Sequence, residues 1–151
     1  MCLLLLVWQH HPSYRLILLA NRDEFYRRPS SPACFWRDSR ELLAGRDEER
    51  GGTWLGIRRG GRWAALTNYR DPSASLEPTS RGKLVTQFLE GAESPAEFTA
   101  TLAGNGGRYS GFNIIVGDDR SACYYSNRGE PPQALSPGVY GLSNHLLDTP
   151  W

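Results

Sequence analysis

The sequence predicts an α+β fold in which stacked antiparallel sheets carry helices on an outer face. Short apolar runs separated by turn residues fill the first part of the chain, two helical patterns follow within residues 80–107, and strand-like runs return after residue 110. At 151 residues the chain is long enough for one domain with a substantial core. We therefore expect residues 1–151 to form a single domain.

The first predicted element is a β-hairpin. Two apolar runs, Cys2–Trp8 and Arg15–Ala20, are joined by a polar turn that contains Pro12. In an antiparallel pair, the end of the second strand returns beside the start of the first. We therefore expect Arg22 and Asp23, which follow the second run, to lie close to Cys2.

Six further short runs have the character of strands. In chain order they are Glu41–Gly45, Thr53–Arg58, Arg62–Asn68, Gly111–Gly117, Ser121–Ser126 and Val139–Asn144. The Gly60-Gly61 pair between the second and third of these runs is a strong hairpin signal. Proline and other turn residues predict loops at residues 25–38, 69–79 and 131–137, and the charged residues 46–50 are interpreted as a solvated turn.

Two helices are expected between these groups of strands. The first covers residues 80–91 with Ser80 as its cap, and Ser94-Pro95 opens the second. The apolar face of the first helix carries Leu84, Val85, Phe88 and Leu89. Arg81 and Lys83 could form an anion site near the start of this helix, but solvent exposure is the simpler interpretation of both.

The composition is that of an ordinary globular protein. A formal net charge of +1 and a hydrophobic content of 40% give no support for binding nucleic acid or a membrane surface. Cys2, Cys34 and Cys123 lack metal-ligand spacing, so free thiols in a reducing compartment are expected. Leu3–Val7 is too short to span a bilayer and lacks the flanks of a signal peptide. We expect a cytoplasmic protein without a transmembrane segment or a bound cofactor, of unspecified oligomeric state.

Cys2 is the strongest candidate for chemistry. Removal of Met1, which methionine aminopeptidase carries out when a small residue follows, would leave Cys2 with a thiol and a free α-amine. The free groups have pKa values of about 8.5 and about 7.7–8.0, so the amine can accept the thiol proton near neutral pH. Arg22 would favour the thiolate, and Asp23 could hold the ammonium or the guanidinium. The alternative is that Cys2 is a small, inert core residue at a strand start.

Cys2 together with Asn21-Arg22-Asp23-Glu24 resembles the NRDE family, also called the transport and Golgi organisation protein 2 family. Further matching segments are Gly51–Gly56, Leu66–Tyr69, Ser126–Glu130 and Gly141–Asn144, which runs on to Thr149-Pro150-Trp151. Members of that family are longer, so the resemblance implies that the chain is an amino-terminal portion of a longer domain. It also implies an N-terminal-nucleophile (Ntn) hydrolase-like αββα sandwich of stacked antiparallel sheets, which would be incomplete in this chain.

The same resemblance extends to the cysteine-type Ntn enzymes that include penicillin V acylases and bile salt hydrolases. Thr67-Asn68 and Ser143-Asn144 are similar to the segments that carry asparagines in those enzymes, and Arg22 and Asp23 to their arginine and aspartate. In those enzymes the arginine and the aspartate are not adjacent, and a later arginine has no counterpart here. The resemblance implies a site built from Cys2, Arg22, Asp23, Asn68 and Asn144 that acts on a small-molecule acyl or amide substrate.

Two alternatives remain open at this point. His145, beside Asn144, could act as the base of a cysteine–histidine pair, although an N-terminal cysteine needs none. The family resemblance also implies a non-catalytic binding or trafficking role, with haem, lipid or acyl-coenzyme A as the ligand. His10, His11, His145 or a cysteine could in principle bind haem iron, but no CxxCH motif is present.

Overall fold

The computed structural model describes residues 2–70 and 80–150. Met1, the predicted loop residues 71–79 and Trp151 lie outside the described residues. Within the described residues, ten strands form a three-stranded sheet of order β10-β1-β2 and a seven-stranded sheet in which β3 to β9 follow chain order. The strands are β1 Leu3–Trp8, β2 Leu16–Asn21, β3 Ser30–Phe35, β4 Leu42–Asp47, β5 Leu55–Arg58, β6 Trp63–Asn68, β7 Phe112–Gly117, β8 Ala122–Ser126, β9 Gln133–Ala134 and β10 Gly138–Leu142.

The small sheet confirms the predicted opening hairpin. Strands β1 and β2 pair antiparallel from Leu3 opposite Asn21 to Trp8 opposite Leu16. On its other side, β1 pairs antiparallel with β10, with Leu4 opposite Leu142. The chain segments that follow β2 and β10 therefore both emerge beside Cys2.

The two sheets are stacked, and the helices cover the outer face of the larger one. Along β6, Trp63 and Ala65 pack against the small sheet, whereas Ala64 and Leu66 pack on the helix side. This alternation follows from the two-residue period of a strand. The rings of Trp8 and Trp63 meet between the sheets with their centroids 5.7 Å apart. The layer order of helices, large sheet and small sheet confirms the predicted α+β class.

Both helices are present, α1 at Gly82–Glu90 and α2 at Pro95–Asn105. The apolar face predicted for α1 is fully buried. Helix α2 opens at Ser94-Pro95 as predicted, and Ser94 caps it in a capping box with Glu97. The cap prediction for α1 is wrong. Its N-cap residue is Arg81, not Ser80, and no side chain makes the capping hydrogen bond. No helix in residues 2–70 and 80–150 is long and apolar enough to cross a membrane.

Several loop boundaries were wrong. Strand β3 lies inside the segment predicted to be a loop, and its register shifts between Ser31 and Cys34, where Pro32 lies. It is the exposed edge strand of the large sheet, where proline is tolerated because one row of backbone N–H groups has no partner strand. The two-residue strand β9 also falls in a predicted loop, and β4 continues to Asp47 in the predicted charged turn.

Candidate active site at Cys2

Cys2 lies immediately before β1 and is contacted from both neighbouring strands. Its backbone nitrogen donates to Oδ1 of Asn144, which follows β10, at 3.0 Å. Its Sγ accepts a hydrogen bond from the backbone N–H of Asp23, which follows β2, at 3.4 Å. The partly buried thiol is one of three free cysteines. The predicted proximity of Cys2 and Asp23 is confirmed, and the contact uses the Asp23 backbone.

The Asn144 side chain ties the two sheets together at this point. While Oδ1 accepts from Cys2, Nδ2 donates to the backbone carbonyl of Asn68 at 2.8 Å. The carbonyl of Asn144 in turn accepts from the backbone N–H of Arg70 at 2.8 Å. One amide therefore fixes the nitrogen of Cys2 relative to the end of β6. These two hydrogen bonds position Cys2, and they use both the oxygen and the nitrogen of the Asn144 amide for structure.

A buried polar network beneath Asn144 holds its segment in place. Asn113 Nδ2 donates to Thr67 Oγ1 at 3.2 Å and to the carbonyl of His145 at 2.9 Å. Thr67 Oγ1 donates to the carbonyl of Ser143 at 2.8 Å. Tyr124 OH donates to Asn113 Oδ1 at 2.9 Å, so each side-chain polar atom of Asn113 is satisfied. Sequence reasoning missed Asn113 and Tyr124, although an asparagine within a wholly apolar strand is a visible signal.

The charge of Arg22 acts on the thiol, and its guanidinium also contacts Trp54 and Glu24. The guanidinium lies 4.4 Å from the ring centroid of Trp54 and 3.6 Å from a carboxylate oxygen of Glu24. Burial raises the pKa of the Cys2 thiol above its ordinary value, while Asn144 and Arg22 act in the opposite direction. The Cys2 thiol therefore holds its proton more strongly than a free cysteine does, and formation of the thiolate requires a base.

A cavity of about 190 Å³ opens beside Cys2. Of the five residues predicted for the site, Cys2, Arg22 and Asn68 line it, while Asp23 and Asn144 contact Cys2 from outside the lining. The cavity is therefore large enough for a small acyl group at the sulfur. Four charged lining residues are not assigned to this site by the sequence: Arg28 and Asp47, which form an ion pair at 2.7 Å, Arg50, and Arg81, for which an anion site is the less favoured interpretation.

The three histidines have other surroundings. The His145 ring packs against Tyr69 with centroids 5.4 Å apart, and its Nδ1 lies 3.0 Å from Thr149 Oγ1. His11 accepts backbone N–H groups through Nδ1 in the exposed turn between β1 and β2, next to His10, at the far end of the hairpin from Cys2. Within residues 2–70 and 80–150, no group of three or more His, Cys, Asp or Glu residues is placed to hold a metal ion.

Comparison with known proteins identifies the family. The sequence profile of "Transport and Golgi organisation 2" matches residues 1–151. The chain belongs to this family. The human "Transport and Golgi organization protein 2 homolog" is 48% identical over 164 residues, and the Mus musculus homolog is 46% identical. The Drosophila melanogaster "Transport and Golgi organization protein 2" is 29% identical over 170 residues.

These matches to the Transport and Golgi organisation 2 family cover the whole of this chain. The chain spans 59% of the length of the human and mouse relatives and 60% of the Drosophila relative. The resemblance to the NRDE family is confirmed, and three residues of the tetrapeptide Asn21–Glu24 line the Cys2 cavity, namely Asn21, Arg22 and Glu24.

Proposed function

We propose that this member of the Transport and Golgi organisation 2 family is a cysteine-nucleophile hydrolase or acyltransferase with an Ntn-hydrolase-like fold. It acts on a non-peptide amide or related acyl bond after Met1 has been removed. The observation that carries the proposal is the position of Cys2: it lines a cavity, and its nitrogen is held by the side chain of Asn144, which follows a different strand. A merely structural cysteine needs neither feature.

The chemistry follows from a free amine on the nucleophile itself. The α-amine of Cys2 accepts the thiol proton, and the sulfur attacks the substrate carbonyl, forming a carbon–sulfur bond. As the tetrahedral intermediate collapses, the carbon–nitrogen bond breaks, and the ammonium returns the proton to the departing amine. Water then attacks the thioester and gives its proton to the α-amine. The carbon–sulfur bond breaks, the acid leaves, and the thiol is restored.

The neighbouring residues have distinct roles in this scheme. Asn144 orients the Cys2 nitrogen through the bond of 3.0 Å. Arg22 favours the thiolate by its charge, and the N–H of Asp23 orients Sγ. Asn68 lines the cavity at a strand end and is our candidate donor to the oxyanion of the tetrahedral intermediate. The carboxylate of Asp23 could hold the ammonium.

Covalent trapping tests the proposal. The protein is incubated with p-nitrophenyl acetate, hexanoate and phenylacetate, quenched in acid and digested, and the N-terminal peptide is analysed by mass spectrometry. We expect Cys2 to be its first residue and to carry the acyl group. The adduct should disappear in Cys2→Ala and persist in Cys34→Ala, which removes an exposed cysteine. A retained Met1, or equal labelling of Cys34 and Cys2, would contradict the proposal.

The second candidate is non-catalytic binding of an apolar ligand. A larger cavity of about 650 Å³ is lined mainly by apolar side chains such as Leu16, Leu18 and Ile57. Its described lining contains no His, Cys, Met or Tyr, so it offers no side chain that usually ligates haem iron. A lipid or acyl chain therefore fits it better than haem. Titration with haem, followed at the Soret band, distinguishes haem from a lipid or acyl chain. If the cavity binds an apolar chain and not haem, no Soret shift is expected at micromolar haem.

A further inference from the structure

The charges around the Cys2 cavity are unbalanced. Its lining contains four arginines and two acidic residues, namely Arg22, Arg28, Arg50 and Arg81 with Glu24 and Asp47. The described lining therefore carries a net charge of +2, although the whole chain carries only +1. Low-dielectric walls concentrate such a field within a cleft.

Three of the four guanidinium groups have acidic partners. Arg28 forms a two-pronged contact with Asp47, at 2.7 and 3.1 Å. Arg22 pairs with Glu24 at 3.6 Å. Arg50, which is largely exposed, pairs with Glu49 at 3.7 Å. Carboxylates near the cavity are thus already engaged.

Arg81 differs from the other three. Its Nη1 donates to the backbone carbonyl of Gly111 at 2.9 Å, and no carboxylate of residues 2–70 or 80–150 lies within ion-pair distance of it. Burial lowers the pKa of its guanidinium and the positive charge of Arg28 lowers it further, while the smaller effect of the Glu24 charge acts in the opposite direction without reversing the shift. A guanidinium has five N–H donors in a rigid fork, and partly burying that charge beside another cation is unfavourable without an anion.

We infer that Arg81, with Arg28 beside it, forms a subsite for an anionic oxygen group, a carboxylate or a phosphate, on the substrate that acylates Cys2. The inference rests on the proposed function for the identity of the ligand as substrate. Arg81 and Cys2 line the same cavity of about 190 Å³, so a small molecule can reach both. The fork of Arg81 matches two oxygens of either group, which a lysine does not.

Charge-matched alkylating probes test the subsite. Chloroacetyl derivatives of glycine, β-alanine and 4-aminobutyrate carry a carboxylate at increasing distance from the reactive carbon, and their primary amides are neutral controls. Chloroacetyl-aminoethylphosphonate replaces the carboxylate by a phosphate-like group. The rate of Cys2 alkylation is followed by peptide mass. We expect at least one anionic probe to react about tenfold faster than its neutral partner, with the preferred head group separating carboxylate from phosphate.

The variants locate the effect. Arg81→Gln should slow the anionic probe much more than its neutral partner, so that the ratio of the two rates falls to about one, and Arg81→Lys should retain part of the preference. Lys83→Gln is the matched control, because it removes an exposed cation two residues away that lies outside the cavity. Equal rates for anionic and neutral probes at every length, or an equal loss in Lys83→Gln, would overturn the inference.

A second readout is independent of the thiol and of catalysis. In Cys2→Ala, inorganic phosphate or pyrophosphate should raise the thermal midpoint relative to chloride at equal ionic strength, because a ligand that binds the folded state stabilises it. The increase should be absent in Cys2→Ala/Arg81→Gln. An increase without acyl-enzyme formation in the unmodified protein would contradict the hydrolase proposal but keep the anion subsite. Acyl-enzyme formation with neither the increase in thermal midpoint nor the probe preference would contradict the anion subsite but keep the hydrolase proposal.

Discussion

Replacing Asn144 by alanine removes the side chain that joins the nitrogen of Cys2 to the end of β6. Two hydrogen bonds are lost, from Cys2 N to Oδ1 at 3.0 Å and from Nδ2 to the Asn68 carbonyl at 2.8 Å. The first is partly buried and the second exposed. The partly buried bond contributes about 0.5–1.5 kcal/mol and the exposed one about 0.5 kcal/mol, at the lower end of that range, so Asn144→Ala should lower the free energy of unfolding by about 1–2 kcal/mol.

This loss is measurable by thermal denaturation. For a chain of this size, 1 kcal/mol shifts the midpoint by about 2–4 °C, so a decrease of about 2–8 °C is expected. The matched control is Asn105→Ala at the exposed end of α2, where one bond to the Thr101 carbonyl is lost. It should change the free energy of unfolding by no more than about 0.5 kcal/mol.

The same variant should also make the thiol less reactive. Asn144 lowers the pKa of Cys2 against the larger effect of burial, so its removal raises that pKa and reduces the thiolate fraction near neutral pH. Alkylation of Cys2 by iodoacetamide at pH 7.5, followed by peptide mass, should slow in Asn144→Ala and not in Asn105→Ala. Unchanged stability together with unchanged reactivity would refute the assignment of Asn144 as the positioning residue.

Three further predictions concern neighbouring groups. Tyr124→Phe removes the hydroxyl that donates to Asn113 and accepts from Leu147, and it should lower the free energy of unfolding, measured in urea, by about 1–3 kcal/mol. The control Tyr125→Phe should lower it less. Equal losses would contradict a stabilising role for the buried network around Asn113. Burial raises the pKa of Asp47, but the hydrogen bond and charge of Arg28 and the backbone N–H groups of Arg50 and Glu49 lower it by more. The pKa of Asp47 in the folded state therefore lies below the ordinary value of about 3.9. The stabilisation from ionised Asp47 is fully present above the ordinary pKa and is lost as pH falls through the folded pKa. Asp47→Asn should therefore lower the free energy of unfolding at pH 7 by about 1–3 kcal/mol and make it less dependent on acid pH. An unaltered dependence on acid pH would contradict this. Arg22→Gln should move the pH profile of Cys2 alkylation to higher pH, and a profile that stays in place would exclude an electrostatic role for Arg22.

Local signals were sufficient for most of the fold. The Gly60-Gly61 turn has φ values of +92° and +93°, which glycine adopts freely, and the hairpin forms as predicted. The sequence Ser94–Glu97 contains its own capping box. Strand β3 could not be predicted in this way, because its pairing with β4 comes from the sheet and its own residues include Pro32. Local propensity does not contain that tertiary contribution.

The site was predictable where chain connectivity alone brings residues together. Cys2 and Asp23 are close because one hairpin joins them, and the sequence contains that hairpin. Arg81 illustrates the opposite case. The sequence favours solvent exposure for Arg81, yet this residue lines the Cys2 cavity, because it lies at the start of α1 and its side chain donates to the carbonyl of Gly111, just before β7. Cavities formed by distant segments leave no local pattern.

The most direct test of a cysteine that carries its own base is to compare the same protein with the α-amine of Cys2 free and blocked. Insertion of Glu between Met1 and Cys2 prevents removal of Met1 and supplies the blocked form. Acyl-enzyme formation with p-nitrophenyl hexanoate is measured by intact mass for both forms. The free amine should give an adduct on Cys2 that hydrolyses with time, and the blocked form should give none. Equal acylation and hydrolysis in the two forms would contradict the mechanism.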